Sequence, residues 1–93
     1  MKFEWDIAKN KLNIQKHGLD FADTKELFVN GTLRRFADNR AEYHEIRFIG
    51  FGYVQGRLMN VIYTKRRPNI IRIISFRKAN QREVKAYETN FKN

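Results

Sequence analysis

The apolar positions change period along the chain, and each change marks an element. Phe3-Glu4-Trp5 alternates apolar and polar residues, the period of a short edge strand or an extended lead-in. From Ile7 to Lys16 the period is helical: Ile7, Ala8, Lys11, Leu12 and Ile14 form an apolar stripe, and Lys9, Asn10, Asn13 and Lys16 lie mostly opposite. Asp6 is placed to cap the first turn, His17 stands in the last turn where the macrodipole favours a cation, and Gly18 is a left-handed stop. Asp20 caps a second predicted helix, Phe21 to about Val29, with Ala22, Leu27 and Phe28 inward, and Asn30-Gly31 turns the chain.

Strand periods follow. Thr32 to Phe36 is a predicted strand containing Arg34 and Arg35, and residues 37–42 form a polar loop. From Tyr43 the chain alternates, with Ile46, Phe48 and Gly50 on one face and Glu45, Arg47 and Ile49 on the other. Gln55-Gly56 turns into a strand from Arg57 to Thr64. The basic turn 65–69, with the one proline, leads to a β-branched run from Ile70 to Phe76. Asn80 then caps a helix reaching Phe91. Short loops favour antiparallel neighbours. The expected fold is a single α+β domain over residues 1–93: two N-terminal helices, an antiparallel sheet of about four strands, and a C-terminal helix, with the helices on one face.

Charge narrows the partners. Lysine and arginine number 19 against 10 acidic residues, a formal charge of +9, and self-repulsion of that size in a small domain calls for a polyanionic or acidic partner. The basic residues line no single amphipathic face and no apolar window is long enough to span a bilayer, so a membrane fits least. Cysteine is absent, which excludes disulfides, thiol catalysis and thiolate-held zinc and suits a reducing cytoplasm.

Most catalytic signatures are missing. Glu42, His44 and Glu45 are the nearest approach to a metal cluster, but on a strand Glu45 points away from the other two. Ser75 lies in a strand without a nucleophile elbow, and Gly50 and Gly52 do not precede a helix as phosphate-cradling glycines do. No metal or cofactor is therefore implied. The remaining polar set is Lys9, Asn13, His17, Glu45, Arg47, Tyr63, Arg72, Arg77, Glu83 and Tyr87. Such residues suit RNA cleavage without a metal: a base takes the 2′-hydroxyl proton, an acid serves the 5′-oxygen, and cations stabilise the phosphorane. Arg72 inside an apolar strand needs a partner or a route to the surface, because a desolvated guanidinium costs several kcal/mol. Arg72 and Arg77 have opposite parity, so they share a face only across a bulge or at the strand end.

The sequence also resembles a known family. Phe3-Glu4-Trp5-Asp6, Lys9, Asn13, Lys16-His17-Gly18 and Phe21 are similar to the opening of the BrnT family of bacterial toxins. The likeness continues through Glu45-x-Arg47, Val61-x-Tyr63-Thr64, Arg72-Ile73-Ile74-Ser75-x-Arg77-x-Ala79, Glu83 and Tyr87. Phe76 departs from it, being a large ring where the family often has a small residue. The resemblance implies a RelE-like fold and ribonuclease toxin activity. It also implies neutralisation by a BrnA-like antitoxin with a ribbon-helix-helix DNA-binding region, in a heterotetramer that reaches operator DNA through the antitoxin. Carried onto this chain, it implies that Arg72 and Arg77 hold the scissile phosphate, that His17 or Glu45 accepts the proton, that Lys9 or Tyr63 donates it or helps electrostatically, and that Arg47 is a further catalytic candidate. Lys16, Lys65, Arg66, Lys78 and Tyr87 become RNA-binding candidates. Two alternatives use the same basic residues: a non-catalytic nucleic-acid binder with Tyr43, Phe48 or Phe51 as stacking platforms, and a module that only binds an antitoxin.

Overall fold

The alternating segments pair into one sheet. A computed structural model describes residues 1–38 and 45–91 as β1 (Lys2–Trp5), α1 (Ile7–His17), a 3₁₀ helix (Phe21–Phe28), β2 (Arg34–Ala37), β3 (Arg47–Val54), β4 (Arg57–Arg66), β5 (Ile70–Lys78) and α2 (Gln81–Phe91). Among the described residues the sheet has five strands in the order β1-β5-β4-β3-β2, not four. β2 to β5 form the expected antiparallel meander, but β1 joins the far edge parallel to β5, with Phe3 opposite Ile71 and Trp5 opposite Ile73. The Phe-Glu-Trp alternation fits this place because Phe3 and Trp5 pack against the core while Glu4 turns to the other face.

The second predicted helix is a 3₁₀ helix for a local reason. Its buried residues, Phe21, Thr24 and Leu27, recur every third position, the 3₁₀ period, and Thr24 Oγ1 donates to the Phe21 carbonyl at 2.7 Å. This segment covers the inner face of the sheet, where Val61, Tyr63, Ile73 and Phe76 are all 2% exposed or less. Each such side chain contributes about 1.5–3 kcal/mol of burial.

The helices do not share a face. α2 lies across the end of the outer face, with Tyr87 edge-on to Tyr53 at 5.5 Å and its hydroxyl donating to the Thr32 carbonyl. α1 buries only Asn10, and its predicted apolar stripe is open: Ile7 is 68% and Leu12 53% exposed. Polar bonds hold it instead. Asn10 donates to Asp20 and accepts from the Phe21 amide, and Asn13 donates to the Leu19 and Phe76 carbonyls. Asp6 caps its start through the Lys9 amide, and Gly18, at φ 66°, ends it. No helix among the described residues is long and apolar enough to cross a membrane.

Candidate functional site

A bulge in β5 decides which residues meet. Ile62 of β4 stands opposite Ser75, but the next residue, Tyr63, stands opposite Ile73, so Ile74 is the additional residue. The extra residue reverses the parity of the strand, leaving Ile71, Ile73 and Phe76 inward and Arg72, Ser75 and Arg77 outward. The two arginines therefore share the outer face.

Across that face runs a row of paired positions: Arg47 on β3, Thr64 on β4, Arg72 on β5 and Glu4 on β1. Arg72 Nη1 lies 2.8 Å from Glu4 Oε2, which answers the charge that the apolar run left unpaired. Arg66 reaches Glu4 at 3.7 Å and Glu45 at 3.3 Å, so two carboxylates and two guanidiniums form one chain of contacts. Lys9 enters from the first turn of α1. Together Asp6, Lys9, Glu45, Arg47, Arg66 and Arg72 line a cleft of about 220 Å³. Four cations against Asp6, Glu4 and Glu45 leave it positive, with guanidinium forks suited to a phosphate and a carboxylate suited to a proton.

Arg77 stands two rows away, opposite Asn60, about 14 Å along the strand from the Arg72 row. Its fork is committed: Nη1 and Nη2 meet Glu83 Oε1 and Oε2 at 2.8 and 2.9 Å. That contact, more than any other influence, holds the Glu83 carboxyl below its ordinary range and strengthens the hold of Arg77 on its proton.

The other sequence candidates are dispersed. Tyr63 is 1% exposed on the inner face, stacked on Phe48, and burial pushes its hydroxyl up against the opposing influence of Arg35. His17 and Lys16 are exposed at the far end of α1, about 12 Å along the axis from Lys9. Lys65 faces the inner side over Phe48 at 5.6 Å, and Lys78 is exposed at the end of β5. Tyr87 is buried between Tyr53 and Phe91, so its ring anchors α2. Of the predicted stacking platforms, Phe48 turns inward and Phe51 outward, while Tyr43 lies outside the described residues. Glu42 and His44 also lie outside them, and among the described residues no three His, Asp or Glu side chains are placed to hold a metal ion.

Glu4, Phe36 and Asn60 join the outer face beside the residues named from the sequence, and Ser75, set aside there as a nucleophile, lines it too. Glu4 carried a signal, since the alternation that sends Phe3 and Trp5 inward sends it toward any arginine on the neighbouring strand. Phe36 and Asn60 carried none, because their places depend on which strands become neighbours.

A small basic α+β domain with a cationic cleft on an open sheet face defines a class of proteins that engage anionic polymers. Within that class the chain belongs to the BrnT family: residues 5–83 match the family described as "Ribonuclease toxin, BrnT, of type II toxin-antitoxin system". Among solved structures it is similar to the 1.1 Å crystal structure of the Brucella abortus ribonuclease toxin, BrnT. The two share 34% identity over 87% of this chain and 99% of that one, with a TM-score of 0.68. No curated protein sequence matches the chain.

Proposed function

We propose that this chain is a cytoplasmic endoribonuclease that cleaves RNA without a metal and is neutralised by a BrnA-like antitoxin. The observation that carries the reading is the convergence of Lys9, Glu45, Arg47 and Arg72 on one cleft of the outer face. Arg72 and Arg47 hold the scissile phosphate and stabilise the charge that grows on its oxygens. Glu45 takes the 2′-hydroxyl proton, the 2′-oxygen attacks phosphorus, and the 5′-oxygen leaves with a proton from the Lys9 ammonium. A cyclic 2′,3′-phosphate and a 5′-hydroxyl are the products. Glu4 positions the Arg72 fork. The acidic antitoxin offsets the charge of +9, joins the toxin in a heterotetramer, and supplies the ribbon-helix-helix region that reaches operator DNA. The fold is of the RelE type, an α+β frame that carries such a ribonuclease site on one sheet face.

Purified protein is mixed with naked total RNA in excess EDTA, beside Arg72→Ala. Cleavage that survives chelation and is lost in the variant is the expected result. Cleavage that stops with EDTA, or continues undiminished in Arg72→Ala, overturns the reading. RNA binding without cleavage by well-folded protein makes the chain a binding module.

A further inference from the structure

The outer face holds a second concavity that the cleavage chemistry does not use. About 310 Å³ in volume, it is bounded by Phe36, Phe51, Asn60, Ser75, Arg77 and Glu83. Its floor is Ile49 paired with Ile62, the row directly beside the row of Arg47 and Arg72, about 7 Å away along the strands. A ligand holding its phosphate at Arg72 reaches this space with its next group. Phe36 stands on β2, opposite Ile49, and 57% of it is exposed, while Phe51 is its diagonal neighbour on β3. Two aromatic rings beside an aliphatic floor offer a planar group a surface to lie on.

The polar part is equally specific. Asn60 is 2% exposed in the middle of the sheet and donates its amide to the Gly50 carbonyl at 3.2 Å. That assignment leaves its Oδ1 as an acceptor, with Ser75, opposite Ile62 on the next row, lining the same concavity. A purely apolar peptide anchor would strand these groups, whereas a flat heterocycle with a donor on its edge satisfies them. Adenine, cytosine and guanine carry an exocyclic amine, while uracil offers one N–H between two carbonyls.

We infer that this concavity is a nucleobase subsite, in which the unpaired base beside the scissile phosphate lies on Phe36 and Phe51 and donates an exocyclic amine to Asn60 Oδ1. The inference rests on the cleavage reading for RNA as the ligand. The test is equilibrium binding of 2′-O-methyl tetranucleotides, whose blocked 2′-oxygens prevent cleavage, carrying each of the four bases or an abasic sugar at each position. At one position an amine-bearing base binds about 5- to 150-fold tighter than the abasic sugar, with uracil weakest of the four. Phe36→Ala, at an exposed position that leaves the fold intact by circular dichroism, removes that difference. Equal binding of intact and abasic oligonucleotides overturns the inference, as does discrimination that persists in Phe36→Ala or that favours uracil. A variant that binds RNA normally but loses its antitoxin assigns the concavity to the protein partner and overturns it too. Wild-type protein that discriminates bases yet cleaves no RNA sinks the cleavage proposal and leaves the subsite standing.

Discussion

Arg77 and Glu83 join strand β5 to helix α2 through two parallel contacts, Nη1–Oε1 at 2.8 Å and Nη2–Oε2 at 2.9 Å. The same carboxylate accepts the Asn80 backbone N–H at 2.9 Å, and Asn80 Oδ1 accepts the Glu83 N–H at 2.8 Å, a reciprocal cap on the first turn of α2. One glutamate therefore starts the helix and ties it to the sheet. With its fork occupied, Arg77 acts in this state as a clamp, and Arg72 is the better placed of the two for phosphate.

Glu83→Gln removes both charge-assisted bonds and lowers stability by about 1–2 kcal/mol at neutral pH, the half-exposed guanidinium keeping the effect modest. The Glu83 carboxyl is held below its ordinary 4.5, chiefly by the Arg77 hydrogen bonds. A depressed carboxyl contributes stability that is present above the unfolded pKa and is lost as pH falls through the folded one. Urea melts of the two proteins therefore diverge at pH 7 and converge in acid below about pH 4.5. A gap that stays constant down to pH 3 would assign the effect to packing.

Arg72→Ala, Arg47→Ala and Tyr63→Phe separate the outer face from the core. Each arginine removes a charge from the cleft at the phosphate, so each loses about 10²–10³-fold in cleavage rate, the loss seen when one donor to a developing oxyanion is deleted. Tyr63→Phe keeps the buried ring and leaves cleavage unchanged, because its hydroxyl belongs to the other side of the sheet. Single-turnover cleavage of one RNA by all three variants checks this. A large loss in Tyr63→Phe alone would mean that the outer cleft is the wrong site.

Two strand glycines make a paired stability prediction. A Cβ on Gly52 meets Leu27 Cδ2 at 2.7 Å, Thr32 Oγ1 at 3.1 Å and the Leu33 backbone at 3.2 Å. A Cβ on Gly50 meets the terminal Leu33 Cδ1 at 2.7 Å, a methyl that can turn aside. Gly52→Ala is thus expected to cost about 1–3 kcal/mol and Gly50→Ala less, measured by thermal or urea unfolding. The reverse order would show that Leu33 is the more rigid neighbour.

Helix α1 should respond to its polar side more than to its apolar one. Asn10, 8% exposed, bonds Asp20 at 3.0 Å and the Phe21 amide at 2.9 Å, so Asn10→Ala leaves buried groups without partners and costs about 1–3 kcal/mol. Leu12→Gln, at an exposed site, changes stability by no more than about 0.5 kcal/mol. Equal losses at both sites would mean that the apolar stripe is covered in solution.

These contrasts mark how much of the molecule was legible in its residues. The meander from Thr32 to Phe76 could be read because alternation, glycine turns and the proline turn all act locally. The parallel placement of β1 could not, because Phe3 and Ile71 become neighbours only through the whole fold. The bulge at Ile74 was hidden by chemistry: Ile73 and Ile74 are both apolar, so nothing in the run says which one faces out. The caps of α1 mark it as a helix, but its apolar stripe faces outward and marks no core contact. The sheet edge it borders needed hydrogen bonds from Asn13 and Asn10, not a hydrophobic cover. For the site, the arginine in an apolar strand announced a partner, but the partner was Glu4, near the other end of the sequence.

His17 provides the last contrast, because the family resemblance left it beside Glu45 as a candidate base. It is exposed at the end of α1 that faces away from the cleft, about 12 Å along the helix from Lys9. His17→Ala is expected to keep the wild-type rate and the wild-type pH profile, while Glu45→Gln loses the rate across the whole profile. The measurement is single-turnover cleavage between pH 5 and pH 8 for the three proteins. A large loss of rate in His17→Ala would mean that the RNA reaches the far end of α1, and the base would then have to be moved there from Glu45.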